Sequence, residues 1–414
     1  MDGDFIETHL ENELGRTPLP PKDRALCQEL VYGVVRWQSA LDWLIARKTG
    51  DREQKPALQL LLRLGLYQLF WLDRVPDHAA VHQTVEMARE AGFGPQSGFV
   101  NAILRGCLRE RDALEQQLTE LKRTDPARGY SHPEWLWQRW QARWGAEKAT
   151  QLMAWNNTPP HAFARVNTLQ TDPGTLLQHW REKDNVEYDL FLRDWVGENL
   201  CFELKALLSL ARVESFQKGW FYVQDPSTLM AVRMLDPQPG EIILDLCAAP
   251  GGKTTFMAQI MQNQGRIVAC DSAPERLKLL RENCVRLGAT CVEPHPLRPA
   301  DAAPIRLFDR VLVDAPCSNT GVMRRRVELR WRLRLEEIRQ LASLQRELLA
   351  QAAAQVKPGG VLVYSTCSLE PEENSAVVTA FLAAQPGFKL ETSRELLPFA
   401  DGADGAFAAR LRRA

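Results

Sequence analysis

The chain has 414 residues, with 51 Lys plus Arg against 52 Asp plus Glu, for a formal net charge of -1. At 45% hydrophobic and 25% charged residues its composition is that of an ordinary globular protein, too long for one core, so two or three domains are expected. No apolar run reaches the roughly 18 residues of a membrane span, because Arg63 and Asp73 interrupt the longest, at 58–72, and none of the nine cysteines has the C-x-x-C spacing of zinc or thioredoxin-like sites.

The acidic start, MDGDFIETHLENE, lacks the charged-then-apolar pattern of a signal peptide and predicts a cytoplasmic protein with reduced thiols. From 22 to 121 apolar residues recur near the helical period, which predicts an all-α bundle. Leu26, Leu30 and Val34 form one expected stripe, and Leu58, Leu61, Leu62, Leu66, Leu69 and Phe70 another. Turn or cap compositions at Thr49-Gly50-Asp51, Val75-Pro76-Asp77 and 92–98 divide the bundle. His78 and His82 share a helix face, but a helix-start pair of this kind is more often structural than ligating, so no metal is expected. Thr124-Asp125-Pro126 and Ser131-His132-Pro133 read as a linker before a helix carrying Trp135, Trp137, Trp140 and Trp144. The helical spacing of these tryptophans favours packing over base stacking.

Residues 162–222 combine a strand-like Val166-Asn167-Thr168-Leu169 with a helix-like 173–180, a small α+β subdomain. Asp225 as N-cap and Pro226 as first residue then open a helix that ends near Asp236-Pro237. Beyond Gly240, candidate strands at 242–246, 266–270, 310–313 and 361–364 alternate with helical stretches at 254–261, 273–287 and 335–356. That alternation predicts a Rossmann-like, doubly wound α/β domain, in which ligands bind beyond the carboxyl ends of parallel strands. Asp404-Gly405 reads as a turn into a last strand at 406–411. The expected division is 1–125 for the helical domain, 126–222 for the linker and α+β subdomain, and 223–414 for the catalytic domain.

The residues with chemical content lie at those strand ends. In Leu244-Asp245-Leu246-Cys247-Ala248-Ala249-Pro250-Gly251-Gly252-Lys253-Thr254 a strand runs through small residues into a helix, which lets backbone N–H groups approach a ligand closely. Neither GxGxxG nor GxxxxGK is present, so the dinucleotide and P-loop readings fail. Asp271 ends the next strand, placed to accept hydrogen bonds from ribose hydroxyls. A glycine turn and such an acid, without phosphate-reading features, fit an adenosine cofactor that lacks a pyrophosphate, S-adenosylmethionine.

Cys317, in Asp314-Ala315-Pro316-Cys317-Ser318, and Cys367, in Ser365-Thr366-Cys367-Ser368, each follow an apolar β-rich run. Two thiols in one cleft point to covalent chemistry on an electron-poor ring. From the residues alone either is a natural nucleophile. Cys107, Cys201 and Cys284 read as small buried hydrophobes, and Cys247 and Cys270 as unreactive lining of the cofactor turn. Lys253 is placed to reach the cofactor carboxylate or to stabilise a thiolate.

Together and in this order, CAAPGGKT, DAPCSNTGV and YSTCSLEPEEN resemble the motifs of the RNA cytosine-5 methyltransferases. DRALCQELVYGVVRW, LYQLFWLDRVPDHAAVHQTV and FVNAILRG are similar to the NusB-like RNA-binding domain of the RsmB/Fmu type within that family, which acts on 16S ribosomal RNA. The resemblance covers nearly the whole chain and implies a cytosine-C5 methyltransferase of ribosomal RNA that uses S-adenosylmethionine. It implies that Cys367 is the nucleophile that adds to C6, that Cys317 assists the later release, and that Asp314 holds the N3 and N4 edge of the base. It also implies that Cys247, Ala248, Ala249, Pro250, Gly251, Gly252, Lys253, Asp271 and Asp314 form the cofactor site.

Arg324, Arg325, Arg326 and Arg330, with Arg332 and Arg334, directly follow the Cys317 loop and are expected to neutralise RNA phosphates. The pattern is broken at Pro294-His295-Pro296-Leu297-Arg298, where the family has an acid against the adenine; Asp301 is the nearest replacement. The last strand also carries fewer aromatics than the family's. A monomer is expected. The competing readings are a transfer RNA cytosine-5 methyltransferase and a noncatalytic RNA-binding or assembly factor.

Overall fold

The computed structural model describes residues 6–17, 19–205, 210–297 and 307–414. Asp301 lies outside the described residues. Two compact units emerge, the first from Met1–Pro159 with Met323–Arg332, the second from Pro160–Val322 with Leu333–Ala414.

The first unit is all helical. Its bundle runs through Ile6–Arg16, Pro21–Arg36, Gln38–Thr49, Pro56–Trp71, Asp77–Ala88, Ser97–Arg109 and Arg111–Thr124. Leu41, Leu44, Leu62, Leu66, Val100 and Leu104 are fully buried at its centre. The stripe expected on the second helix enters the core only from Leu30 onward, and Leu26 is exposed. His78 and His82 are exposed on their helix. The stretch expected as a linker is folded into the same unit. Asp125 caps a single turn, Pro126–Gly129, by accepting from the Arg128 N–H, and the helices Glu134–Trp144 and Ala146–Asn156 follow. Trp137 and Trp140 are buried there among Leu136, Leu152 and Met153, as packing predicts.

The arginine-rich segment 323–332 completes this unit and corrects the reading of Arg324 and Arg330 as phosphate ligands. Met323, Val327 and Arg330 are 0% exposed and Arg324 is 1% exposed. The Arg330 guanidinium donates to the carbonyls of Arg36, Ser131 and Asn156 at 3.2, 3.3 and 3.1 Å and to Asn157 Oδ1 at 2.7 Å. Arg36 and Asn156 each end a helix, where the last carbonyls have no intrahelical donor, so a buried guanidinium is used to satisfy them. Arg324 stacks over Trp155 at 4.2 Å. Arg325 and Arg326 are half-buried.

The second unit holds two sheets. The small one comprises β1 (Ala162–Val166), β2 (Tyr188–Leu190), β3 (Cys201–Leu204) and β4 (Phe221–Val223), antiparallel in the order β2-β3-β1-β4. β1 ends earlier than the expected run at 166–169, because Asn167 turns its amide onto the Gly219 and Leu287 carbonyls at 2.7 and 2.8 Å.

The large sheet comprises β5 (Ile242–Asp245), β6 (Arg266–Asp271), β7 (Val292–Pro296), β8 (Phe308–Asp314), β9 (Val356–Thr366), β10 (Phe388–Leu396) and β11 (Ala406–Arg413). Its order is β10-β11-β9-β8-β5-β6-β7, with β5 to β9 parallel and β11 antiparallel to both neighbours. Successive residues such as Ile243 and Leu244 feed different cores on the two faces. The helices Ser227–Leu235, Gly252–Ile260, Pro274–Leu287, Leu335–Ala353 and Ser375–Ala384 accompany the sheet. The strand order reverses at β5, between β8 and β6, which opens a crevice at the carboxyl ends. Among the described residues no helix is long and apolar enough to cross a membrane.

Candidate active site

β5 delivers Asp245 to the crevice, and the small residues after it turn the chain into the helix Gly252–Ile260. Gly251 makes the turn at φ 104°, a conformation that residues with a side chain rarely adopt, so the backbone there requires glycine. Thr254 Oγ1 donates to Asp245 Oδ2 at 2.6 Å. Asp245 Oδ1 is buried and accepts no hydrogen bond, and burial pushes this carboxyl up to about 7. Asp271, at the end of β6, braces the turn by accepting from the Ala249 N–H and the Ala273 N–H, each at 3.1 Å. Arg165 of β1 braces it from the other side, donating to the Gly252 carbonyl at 3.0 Å and Thr255 Oγ1 at 3.1 Å. Burial pushes that guanidinium down to about 9.

A cavity of about 230 Å³ lies against this turn, lined by Cys247, Ala248, Ala249, Pro250, Gly252, Lys253 and Asp314 together with Asp245, Tyr222, Val223, Gln224 and Thr228. Gly251 and Asp271 shape the turn without lining the cavity. The sequence reading missed Asp245, although the strand-end position inside the motif marks it. It also missed Arg165 and the residues from 222 to 228, which carry no glycine signature; the one available signal there is the Asp225-Pro226 helix start.

β8 and β9 are adjacent and parallel, with Asp314 opposite Ser365, so the loops that follow them meet. Cys317 Sγ and Cys367 Sγ are 3.3 Å apart. Cys367 Sγ donates to Asn319 Oδ1 at 2.9 Å, and Asn319 Nδ2 donates to the Cys317 carbonyl at 2.8 Å. The hydrogen bond to Cys367, followed by burial, pushes the Cys317 thiol well up. Asp314 accepts from Ser365 Oγ at 2.9 Å and from Lys253 Nζ at 2.7 Å. Burial works against the Lys253 ammonium, but Asp314 outweighs it and the net shift is upward. Lys253 is therefore committed to Asp314 instead of standing as a solvated helix-start lysine. Burial also raises Cys247 well above the ordinary thiol range, Cys270 and Cys107 to about 11 and Cys284 to about 12, which makes poor nucleophiles of them.

Elsewhere, His179, Asp184 and Glu214 gather three ligand-type groups, yet Asp184 already accepts from the Glu214 and Ser215 N–H groups at 3.0 and 3.1 Å and serves as a helix-start cap.

Residues 232–412 match the family described as 16S rRNA methyltransferase RsmB/F, residues 2–109 the NusB family, and residues 132–188 the ferredoxin-like domain of RsmF/B-like methyltransferases. The chain is 37% identical to a probable ribosomal RNA small subunit methyltransferase B of Synechocystis, over 99% of this chain and 96% of the relative. It is 34% identical to the protein of the same description in Bacillus subtilis, over 98% and 94%. The crystal structure of NSun6 from Pyrococcus horikoshii with SFG superposes with a TM-score of 0.60 at 25% identity, covering 68% of this chain and 98% of that one.

Proposed function

The chain belongs to the RsmB/F family of 16S rRNA methyltransferases, and from that premise we propose that it methylates C5 of a cytosine in small-subunit ribosomal RNA through a covalent thiol adduct. The observation that carries this reading is the pair of thiols 3.3 Å apart at the ends of neighbouring parallel strands, beside the Asp314–Lys253 pair and the cavity of the glycine turn.

S-adenosylmethionine supplies an electrophilic methyl group. The residues at the turn fit it. The unpartnered Asp245 Oδ1 is an acceptor for an ammonium group in the cavity, and the small residues 247–252 leave room for close backbone approach. Asp271 does not line the cavity and is assigned the ribose hydroxyls by its place at the end of β6 alone; its bonds to Ala249 and Ala273 hold the turn.

C5 of cytosine is a weak nucleophile until a thiolate adds to C6. Cys367 is assigned that attack by its place in the Thr-Cys motif. As the sulfur–C6 bond forms, the proton of the Cys367 thiol passes to N3, and Asp314 holds the protonated edge by a charge-assisted hydrogen bond. C5 then takes the methyl group, the C5 proton passes to solvent, and the C6–sulfur bond breaks as the N3 proton returns to the Cys367 sulfur, which restores the ring. Cys317, held as a thiol next to Cys367, is placed to serve this release. The base must be unstacked to reach the thiols. From the basic run the half-buried Arg325 and Arg326 and the exposed Arg332 and Arg334 remain the candidates for phosphate contact.

The test is transfer of labelled methyl from S-adenosylmethionine to protein-free small-subunit ribosomal RNA and, separately, to bulk transfer RNA, with Cys367→Ala as control. Label in ribosomal RNA cytosine, absent with the variant, is expected. Label only in transfer RNA would keep the chemistry and overturn the substrate, and none in either would overturn catalysis on free RNA.

A further inference from the structure

Glu373 lies past the Cys367 loop, just before the helix Ser375–Ala384, and is 0% exposed. Its carboxylate is bonded to both thiol loops. Oε1 accepts from the Ser318 N–H at 2.8 Å and from Gln345 Nε2 at 3.1 Å, while Oε2 accepts from the hydroxyls of Ser318 and Ser368. Ser318 directly follows Cys317 and Ser368 directly follows Cys367, so one side chain spans the residues next to each thiol. Gln345 Nε2 also donates to the Pro316 carbonyl at 2.9 Å, which ties the near side of the first loop to the same point. The Tyr364 hydroxyl donates to the Glu373 carbonyl and fixes the backbone from β9.

We propose that Glu373 is a positioning residue that holds the two thiol loops in register, an inference that rests on the adduct chemistry proposed above. A carboxylate buried among hydroxyl and amide donors is costly to keep, and apolar filling serves stability as well or better. What apolar filling cannot do is bond two loops from one point. The sulfurs stay 3.3 Å apart only while both loops hold their places, and a displacement of about 1 Å in a reacting group costs on the order of 100-fold in rate.

The charge has a second effect. Cys317 faces Cys367 and Glu373, with Tyr364 beside it, and the Glu373 charge adds to the hydrogen bond and burial that raise the Cys317 thiol. Lys253 faces Cys367 together with Asp314. Glu373 thus acts on the thiol assigned to release.

The experiment compares Glu373→Gln, Ser318→Ala and Ser368→Ala in the full chain. It reads kcat, S-adenosylmethionine affinity, the denaturant-resistant protein–RNA adduct and, without RNA, the pH dependence of Cys317 alkylation by iodoacetamide. Glu373→Gln is expected to lower kcat about 100-fold with cofactor affinity unchanged, and to move the Cys317 alkylation midpoint to lower pH. Ser368→Ala is expected to slow adduct formation, and Ser318→Ala to let the adduct accumulate. Wild-type kcat in Glu373→Gln, or a folded Glu373→Gln with an unmoved midpoint, overturns the proposal. If Glu373→Gln does not fold, the serine variants decide: like behaviour of the two overturns it, and the opposite behaviours support it. If the wild-type chain forms no adduct while the alkylation midpoint shifts as expected, the adduct reading fails and the tie between Glu373 and Cys317 stands.

Discussion

Asp245 ends a buried strand with one oxygen bonded to Thr254 and the other without a donor, and its carboxyl is raised to about 7. Between about 3.9, the value of an unfolded aspartate, and about 7 the folded chain therefore holds a proton that the unfolded chain has released. Stability of the cofactor-free protein is expected to fall as pH rises through that window. An ammonium group placed beside Asp245 favours the ionised form and reverses the balance, so S-adenosylmethionine affinity should rise with pH through neutrality, with a proton released on binding. Calorimetric titration in two buffers of different ionisation heat measures that proton directly. Asp245→Asn should abolish the pH dependence and weaken binding roughly tenfold, the scale of one charge-assisted hydrogen bond; an unaltered proton release in this variant would place the titrating group elsewhere. The thiols answer to a different readout. Cys367→Ala should lose methyl transfer with cofactor affinity nearly unchanged, whereas Cys317→Ala should accumulate a protein–RNA adduct on denaturing gels. The reverse pattern would exchange their roles.

At the level of the elements, three backbones converge on the thiols. The Gly321 N–H donates to the Cys367 carbonyl at 3.0 Å, and the Gly405 N–H, at the turn into β11, donates to the Gly321 carbonyl at 2.9 Å. A Cβ at Gly321 would stand 2.4 Å from the Gly405 oxygen and 2.8 Å from the Cys367 oxygen. Gly321→Ala should therefore push the Cys367 loop away, lowering kcat about 100-fold while cofactor affinity stays within about twofold of wild type, because the glycine turn after β5 is a separate element. Isothermal titration beside single-turnover kinetics separates the two. The alternation that positions these loops was readable because β5, β6, β8 and β9 are covered on both faces and so are nearly continuous apolar runs. β7 was not, since Pro294 and Pro296 read as breaks; the strand lies at the sheet edge, where a missing N–H leaves no ladder bond unmade. β10 was missed for a related reason, being an edge strand whose residues 389–393 are all exposed. Asp314, Cys317 and Cys367 stood out because strand ends mark them, while Glu373 did not. Its burial depends on Ser318, 55 residues away, and no local pattern carries that.

Across the whole molecule, the arginine run shows how a pattern correct in composition misleads in orientation. Six arginines in eleven residues read as a surface, yet the chain leaves the second unit at Val322, folds with the first unit through Met323–Arg332, and returns at Leu333. The acceptors that hold Arg330 come from Arg36, Ser131, Asn156 and Asn157, all of the first unit and more than 170 positions away. A fragment of residues 160–414 would keep both thiol loops and the glycine turn but would lack every one of those acceptors. Its Met323 and Val327, 0% exposed in the full chain, would lose their cover, and the Arg330 charge would have no reason to remain buried. Trypsin should therefore cut the fragment between Arg324 and Arg334 while sparing the same bonds in the full chain, since cleavage follows the population of the opened segment. Mass spectrometry of timed digests locates the cuts. Because that segment begins only six residues after Cys317, its release should also loosen the first thiol loop, and Cys317 alkylation in the fragment should be faster than in the full chain. Equal protection and equal alkylation would mean that the second unit orders 323–332 unaided, and that the segment's place in the first unit has no bearing on the thiols.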